Sequence, residues 1–153
     1  MRGIYLYLVI VLAALPSLGQ HQNASSASTQ SKGFTLTVIV DGVDDRDGNI
    51  GVLVFNSSKG WAEDRTVALR DIVVPAHPGT VNVVIPDLPA GEYALSIAHD
   101  VNKNHKLDRN WMGKPTEQWG ISNDPHAVIK TPSYNAAKFT LKQDQEIHVK
   151  MQQ

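Results

Sequence analysis

The segment "FTLTVIV" sets Phe34, Leu36, Val38 and Val40 against Thr35, Thr37 and Ile39. Side chains of an extended chain point alternately to two faces, so this period of two predicts a half-buried strand. The alternation returns in "NIGVLVFN", with Ile50, Val52 and Val54 on one face, and in "GEYALSIAHD", with Tyr93, Leu95 and Ile97. "GTVNVVIPDLP" is a further strand stopped by proline, and "TVALRDIVVP" is a strand or an irregular segment ending at Pro75. "AAKFTLKQDQEIHVKMQ" reads as a closing hairpin centred on Phe139 and Leu141 and on Ile147, Val149 and Met151. No segment after the N-terminal apolar run keeps a useful helical period, although "SSKGWAEDRT" has room for a short helical turn ending before Thr66. Short alternating strands, separated by turn pairs such as Asp41-Gly42 and Asp47-Gly48, predict an all-β antiparallel sandwich of roughly seven or eight strands. Leu36, Val38, Val52, Val54, Tyr93, Leu95, Ile97, Phe139 and Val149 are its expected interior.

The N-terminus follows different rules. "MRGIYLYLVIVLAALPSLGQ" opens with Arg2, runs apolar from Ile4 to Leu15, and closes on Pro16, Ser17 and Gly19. That is the layout of a secretory signal over residues 1–19, cut before Gln20. The run is shorter than the ~20 apolar residues a spanning helix needs, so no membrane span is expected after cleavage. The expected destination is periplasm, cell surface or medium. The chain has no cysteine, which excludes both a lipid-modified N-terminus after the cut and disulfide staples. Residues 20–33 are polar and serine-rich, the composition of a disordered tether, and 34–153 is left as one domain large enough for its own core. Asn23 and Asn56 stand in glycosylation sequons. Lys+Arg 14 against Asp+Glu 15, with no basic cluster, gives nucleic-acid binding nothing to rest on.

Residues 101–133 show no regular period, yet they hold Leu107, Trp111, Trp119 and Ile121. A loop of that length with apolar anchors is an ordered excursion, and ordered long loops are where function concentrates. Packing such a loop onto the sheet is the expected role of Trp111 and Trp119; the alternative is an exposed platform for a sugar or peptide. The excursion opens with "HDVNKNHKLDRNW", in which Asp100, Asn102, Asn104 and Asp108 fall at positions 1, 3, 5 and 9. Lys106 at position 7 offers its backbone carbonyl, and Leu107 at position 8 pins the loop to the core. Calcium takes six to eight hard oxygens, and a tightly wound chain turns every second side chain inward, so this spacing is the first part of a calcium-loop pattern. His105 replaces the usual glycine at position 6 and Trp111 the usual glutamate at position 12. With two formal carboxylates the expected affinity is weak, about 10⁻⁴–10⁻³ M, and the competing reading is an Asx-rich loop that bonds its own backbone.

The remaining signals are sparse. His77, His99, His105, His126 and His148 have no helix-spaced pair, and no cysteine joins them as in a zinc site. Nucleophile-elbow, zinc-protease and phosphate-loop motifs are all absent. "PDLPAGEY" makes a turn at Pro89 and Gly91 and enters a strand at Tyr93, an opening similar to that of prealbumin-like and Cna-B-like sandwich modules.

Four stretches together, "VFNSSKGW", "LPAGEYALSIAHD", "HDVNKNHKLDRNWMGKPTEQWGISN" and "PSYNAAKFTL", resemble the DUF2141 family of small exported bacterial domains. The likeness spans nearly all of the expected domain, and its central block is long and idiosyncratic. His105 departs from the family glycine, and Trp119-Gly120-Ile121 from a Gly-Phe form. The resemblance implies an immunoglobulin-like or prealbumin-like sandwich and supplies no activity.

Two functions are expected from these residues. One is a non-enzymatic module whose loop holds calcium through Asp100, Asn102, Asn104, Lys106 and Asp108 and presents a surface to a carbohydrate, peptide or envelope protein. The other is a metal-assisted hydrolase built from His99, Asp100, Asp108 and Glu117. In the first, the Asp and Asn side chains converge and His99 turns into the sheet. In the second, His99 or Glu117 lines a pocket beside a free carboxylate. A third, structural reading makes the loop a rigid cap over one sandwich edge.

Overall fold

The computed structural model describes residues 33–125 and 130–153. The expected export signal, the tether up to residue 32 with its Asn23 sequon, and His126 lie outside them. Eight strands run in chain order: β1 (Phe34–Val43), β2 (Asn49–Phe55), β3 (Arg70–Pro75), β4 (Gly79–Leu88), β5 (Gly91–Asp100), β6 (Trp119–Ile121), β7 (Phe139–Leu141) and β8 (Gln145–Lys150). A single turn of helix, α1 (Tyr134–Ala137), precedes β7. The strands form two sheets, β4-β1-β8 and β3-β2-β5-β6, with β7 added against β5.

The alternation in the sequence is the alternation in burial. Leu36, Val38 and Val40 of β1 and Ile50, Val52 and Val54 of β2 are fully buried and face each other across the two sheets. Tyr93, Leu95 and Ile97 of β5, Val81, Val83 and Ile85 of β4, and Val149 of β8 complete that core. Each such side chain removed from water contributes about 1.5–3 kcal/mol before entropy is charged against it, which is how a chain without disulfides holds together. Phe139 is the expected interior residue that packs only at the margin. Tyr93, also expected inside, buries its ring and donates its hydroxyl back to the Pro89 carbonyl at 2.8 Å, locking the "LPAGEY" turn to the strand it starts.

Three expectations change. The closing segment is no hairpin: β7 pairs with β5 in one sheet, whereas β8 crosses to the other and runs parallel to β1, with Val38 opposite Ile147. Period two reports a strand's faces but not its neighbour, so sequence alternation could not tell these arrangements apart. β4 does stop at a proline, Pro89, and carries Pro86 within it. It is an edge strand, and its register against β1 shifts between Ile85 and Leu88, where Asp87 takes φ 57; an edge bulge is where a sheet tolerates proline. Residues 101–133 are not wholly irregular, since β6 lies within them. Finally, 59–66 forms successive turns with no helix.

Short as it is, β6 closes the sandwich. Trp119 exchanges two backbone hydrogen bonds with Gln152, at 2.9 and 2.7 Å, joining the second sheet to the chain beyond β8. A Cβ on Gly120 would lie 2.8 Å from Val149 Cγ1, so only glycine lets the two sheets approach here.

Candidate functional site

The turn from β1 to β2 crosses between the sheets and meets the end of β5, with Asn49 registered opposite Asp100. Gly48, at φ 138, brings its backbone against the Asp100 carbonyl; a Cβ there would sit 2.5 Å from that oxygen. This close approach fixes where the loop after β5 begins.

Asp100 is buried, 5 % exposed, and its carboxylate organises the loop. One oxygen accepts the Asn104 N–H at 2.9 Å and the other the His105 N–H at 2.8 Å. Asn102 Oδ1 accepts the Asn104 N–H at 3.1 Å, and Asn104 Oδ1 the Lys106 N–H at 2.9 Å, two successive Asx turns. The Asn102 and Asn104 amides then donate to the two oxygens of Asp108, at 2.6 and 3.0 Å. Asn102 and Asn104 therefore converge on Asp108, while Asp100 is turned to the backbone of the same loop. Lys103 and His105 take left-handed backbone, φ 61 and 62, so His105 adopts the conformation for which such loops favour glycine. Lys106 joins the loop through its N–H and also lines a groove beside it.

Glu117 completes the loop, and sequence spacing missed this role. It is buried, 4 % exposed, and its two oxygens accept the N–H groups of Val101 and Asp108, each at 2.9 Å. One carboxylate thus staples the start of the loop to its end. Seventeen positions separate Glu117 from Asp100 in sequence, and no local periodicity spans that gap. A sequence signal existed: Glu117 is the only acid between Asp108 and Asp124.

Behind the loop lies a second polar group. His99 is fully buried on the core face of β5, with Nδ1 3.3 Å from Asp44 Oδ1 and 3.5 Å from Gln118 Oε1. Its Nε2 has no hydrogen-bond partner among the described residues. Gln118 accepts the Asp44 N–H and donates to the Gly42 carbonyl. Arg46 Nε donates to Asp44 Oδ2 at 2.7 Å, and that hydrogen bond holds the Asp44 carboxyl below the usual range while raising the guanidinium's pKa. Burial works against both shifts, and the charge of Glu117 reinforces the one on Arg46.

Beyond Asp108 the chain makes a hairpin. Arg109 bridges to Pro115, and Asn110 Oδ1 accepts the N–H groups of Met112 and Lys114, both at 3.0 Å. Trp111 and Met112 at its tip are 92 % and 66 % exposed, so Trp111 does not pack the loop onto the sheet as expected. Trp119 does: it joins Ile121, Ala94 and Ala137 in a second apolar cluster on the outer face, with Trp61 and Tyr134. The half of the tryptophan expectation that held is the one carried by a strand.

Among the described residues no three His, Cys, Asp or Glu side chains gather as a metal cluster, and the side chains bonded to Asp108 are two asparagines. No described helix is long and apolar enough to cross a membrane. No curated protein and no solved structure matches the chain. A family model described as an uncharacterized protein conserved in bacteria, DUF2141, matches residues 38–149, from the first core strand to the last. The chain belongs to the DUF2141 family.

Proposed function

We propose that this is an exported, non-enzymatic sandwich module whose 100–108 loop holds a weakly bound calcium ion and presents a ligand surface beside it. The observation that carries the reading is the convergence of Asn102 and Asn104 on Asp108, with Asp100 winding the backbone through His105. Each amide oxygen has a second lone pair beyond the one its backbone N–H occupies. A cation entering at Asp108 replaces two amide N–H contacts with its own charge, which suits that carboxylate better than neutral donors do. Export rests on the N-terminal pattern of Arg2, the apolar run and the small residues before Gln20.

The hydrolase alternative draws less support from the same geometry. His99 is enclosed in the core, and both oxygens of Glu117 are committed to backbone N–H groups. A general base needs access to a substrate proton, and neither side chain has it.

Nuclear magnetic resonance suits the expected affinity. Titrating the 34–153 chain with calcium shifts the amides of Asn104, His105, Lys106 and Asp108 to saturation in the range of about 10⁻⁴–10⁻³ M. Asp108→Asn weakens that response while leaving the core amides of β1 and β5 in place. Loop amides that stay still up to roughly ten times that range contradict the reading.

A further inference from the structure

The face of the second sheet that points away from the core is built unlike an ordinary solvent face. Gly51 of β2 stands opposite Ala98 of β5, and Leu53 opposite Ser96, so the middle of the sheet carries small or apolar side chains. In a half-exposed antiparallel sheet these alternate positions are normally polar. Val73 on β3 stands beside them, and Trp119 and Ile121 on β6 enter from the other side. Two loops rise over this floor, one through Ala62 and Arg65, the other through Leu107, Arg109 and Pro115. They enclose a groove of about 490 Å³, within the size range of sites that take a small apolar ligand.

The walls of the groove are basic. Arg65 is paired with Asp71 and Arg109 with Glu63, each at 2.6 Å. Lys106, Lys114 and Lys130, which also line the groove, have no carboxylate partner among the described residues. The groove therefore joins an apolar floor to three unneutralised ammonium groups. Its one indole, Trp119, is half-buried and held in the outer cluster, which offers a sugar no pair of open stacking faces.

We infer that this groove binds a single-chain anionic amphiphile, a fatty-acid-like carboxylate whose chain lies over Gly51, Leu53 and Ala98 and whose head meets Lys106 and Lys114. The inference deepens the ligand-surface part of the proposed function, and it uses the 100–108 loop as a wall without requiring the ion.

The test is binding of octanoate, decanoate and dodecanoate below their micelle concentrations to the 34–153 chain, in chelator and in calcium, read by tryptophan fluorescence and calorimetry. Affinity is expected to rise roughly two- to fourfold per added methylene, as partial to full burial of each group requires. Decanol and decyltrimethylammonium are expected to bind at least about tenfold more weakly, the effect of losing a pair of charge-assisted contacts. Gly51→Val fills the floor without a clash, because a Cβ there meets only the Ala98 oxygen at 3.9 Å, and it is expected to abolish binding. Lys106→Glu with Lys114→Glu is expected to remove the preference for the anion. Equal binding of anionic, neutral and cationic chains overturns the inference, as does undiminished binding by Gly51→Val with an unchanged circular dichroism spectrum. Capture of an acidic peptide in place of any carboxylate amphiphile overturns it in favour of a peptide groove. Carboxylate binding in chelator with no calcium response sustains the groove and sinks the ion, and the reverse pattern does the opposite.

Discussion

The backbone N–H of His105 donates to Asp100 Oδ2 at 2.8 Å, and His105 does so from left-handed backbone at φ 62. These two residues set the winding of the loop. Asp100→Ala leaves the N–H of His105 without its acceptor in a part-buried setting, at a cost of about 1–3 kcal/mol even without calcium. His105→Gly should raise stability by up to about 1 kcal/mol, because glycine occupies this conformation without steric penalty. Urea denaturation in chelator checks both; an unchanged midpoint for Asp100→Ala would show that its hydrogen bonds contribute nothing.

Glu117 is the other brace. Replacing it with alanine removes two charge-assisted bonds, each worth about 1.5–3 kcal/mol, and leaves Arg46 beside a lost charge. Glu117→Gln keeps one acceptor and should lose roughly half as much. Amide hydrogen exchange at Val101 and Asp108 reads the effect locally: both should exchange faster in either variant while β1 stays protected.

Trp111 makes the opposite prediction. A side chain 92 % exposed contributes no packing, so Trp111→Ala should change stability by less than about 0.5 kcal/mol. A loss of several kcal/mol in urea would mean that the tryptophan packs against the sheet in solution.

His148 and Asp41 form a pair across neighbouring strands, Nδ1 to Oδ2 at 2.7 Å. Their hydrogen bond raises the imidazole above its ordinary 6.5 and lowers the carboxyl below its ordinary 3.8. The contribution of the raised histidine is complete below about pH 6.5 and is lost as pH climbs through its folded-state value. That of the lowered aspartate is complete above about pH 3.8 and is lost as pH falls through its own. Wild type should therefore exceed His148→Asn in stability most clearly near pH 5.5 and converge with it by about pH 8.5. A difference of constant size over that span would remove titration as its cause.

The sequence made the core legible because a strand buried on one face writes its burial at every second residue, as Leu36, Val38 and Val40 do. It hid which strand pairs with which, because Ile147 and Val149 alternate identically whether β8 folds back on β7 or crosses to β1. The self-bonding of the loop was legible for a related reason: Asp100, Asn102, Asn104 and Asp108 are local, and their spacing sets which backbone N–H groups and side chains they reach. Glu117 and His99 were not, since their roles depend on contacts made after the sheet exists. The proline stop at Pro89 was legible too, and Pro86 is tolerated within β4 because a proline ends a central strand but not an edge strand at a bulge.

Calcium bound by the folded loop must stabilise the fold by RT ln(1 + [L]/Kd), about 1.4–2.7 kcal/mol at roughly ten to a hundred times Kd. For a domain of this size that is a rise of at least about 4 °C in Tm. The decisive measurement is the thermal unfolding of the 34–153 chain in chelator and at about 10 mM calcium, with Asp108→Asn run alongside. The calcium-loop account predicts that rise for the wild type and less than half of it for Asp108→Asn. Superimposable wild-type curves in the two conditions would contradict it and leave a loop that bonds only to itself.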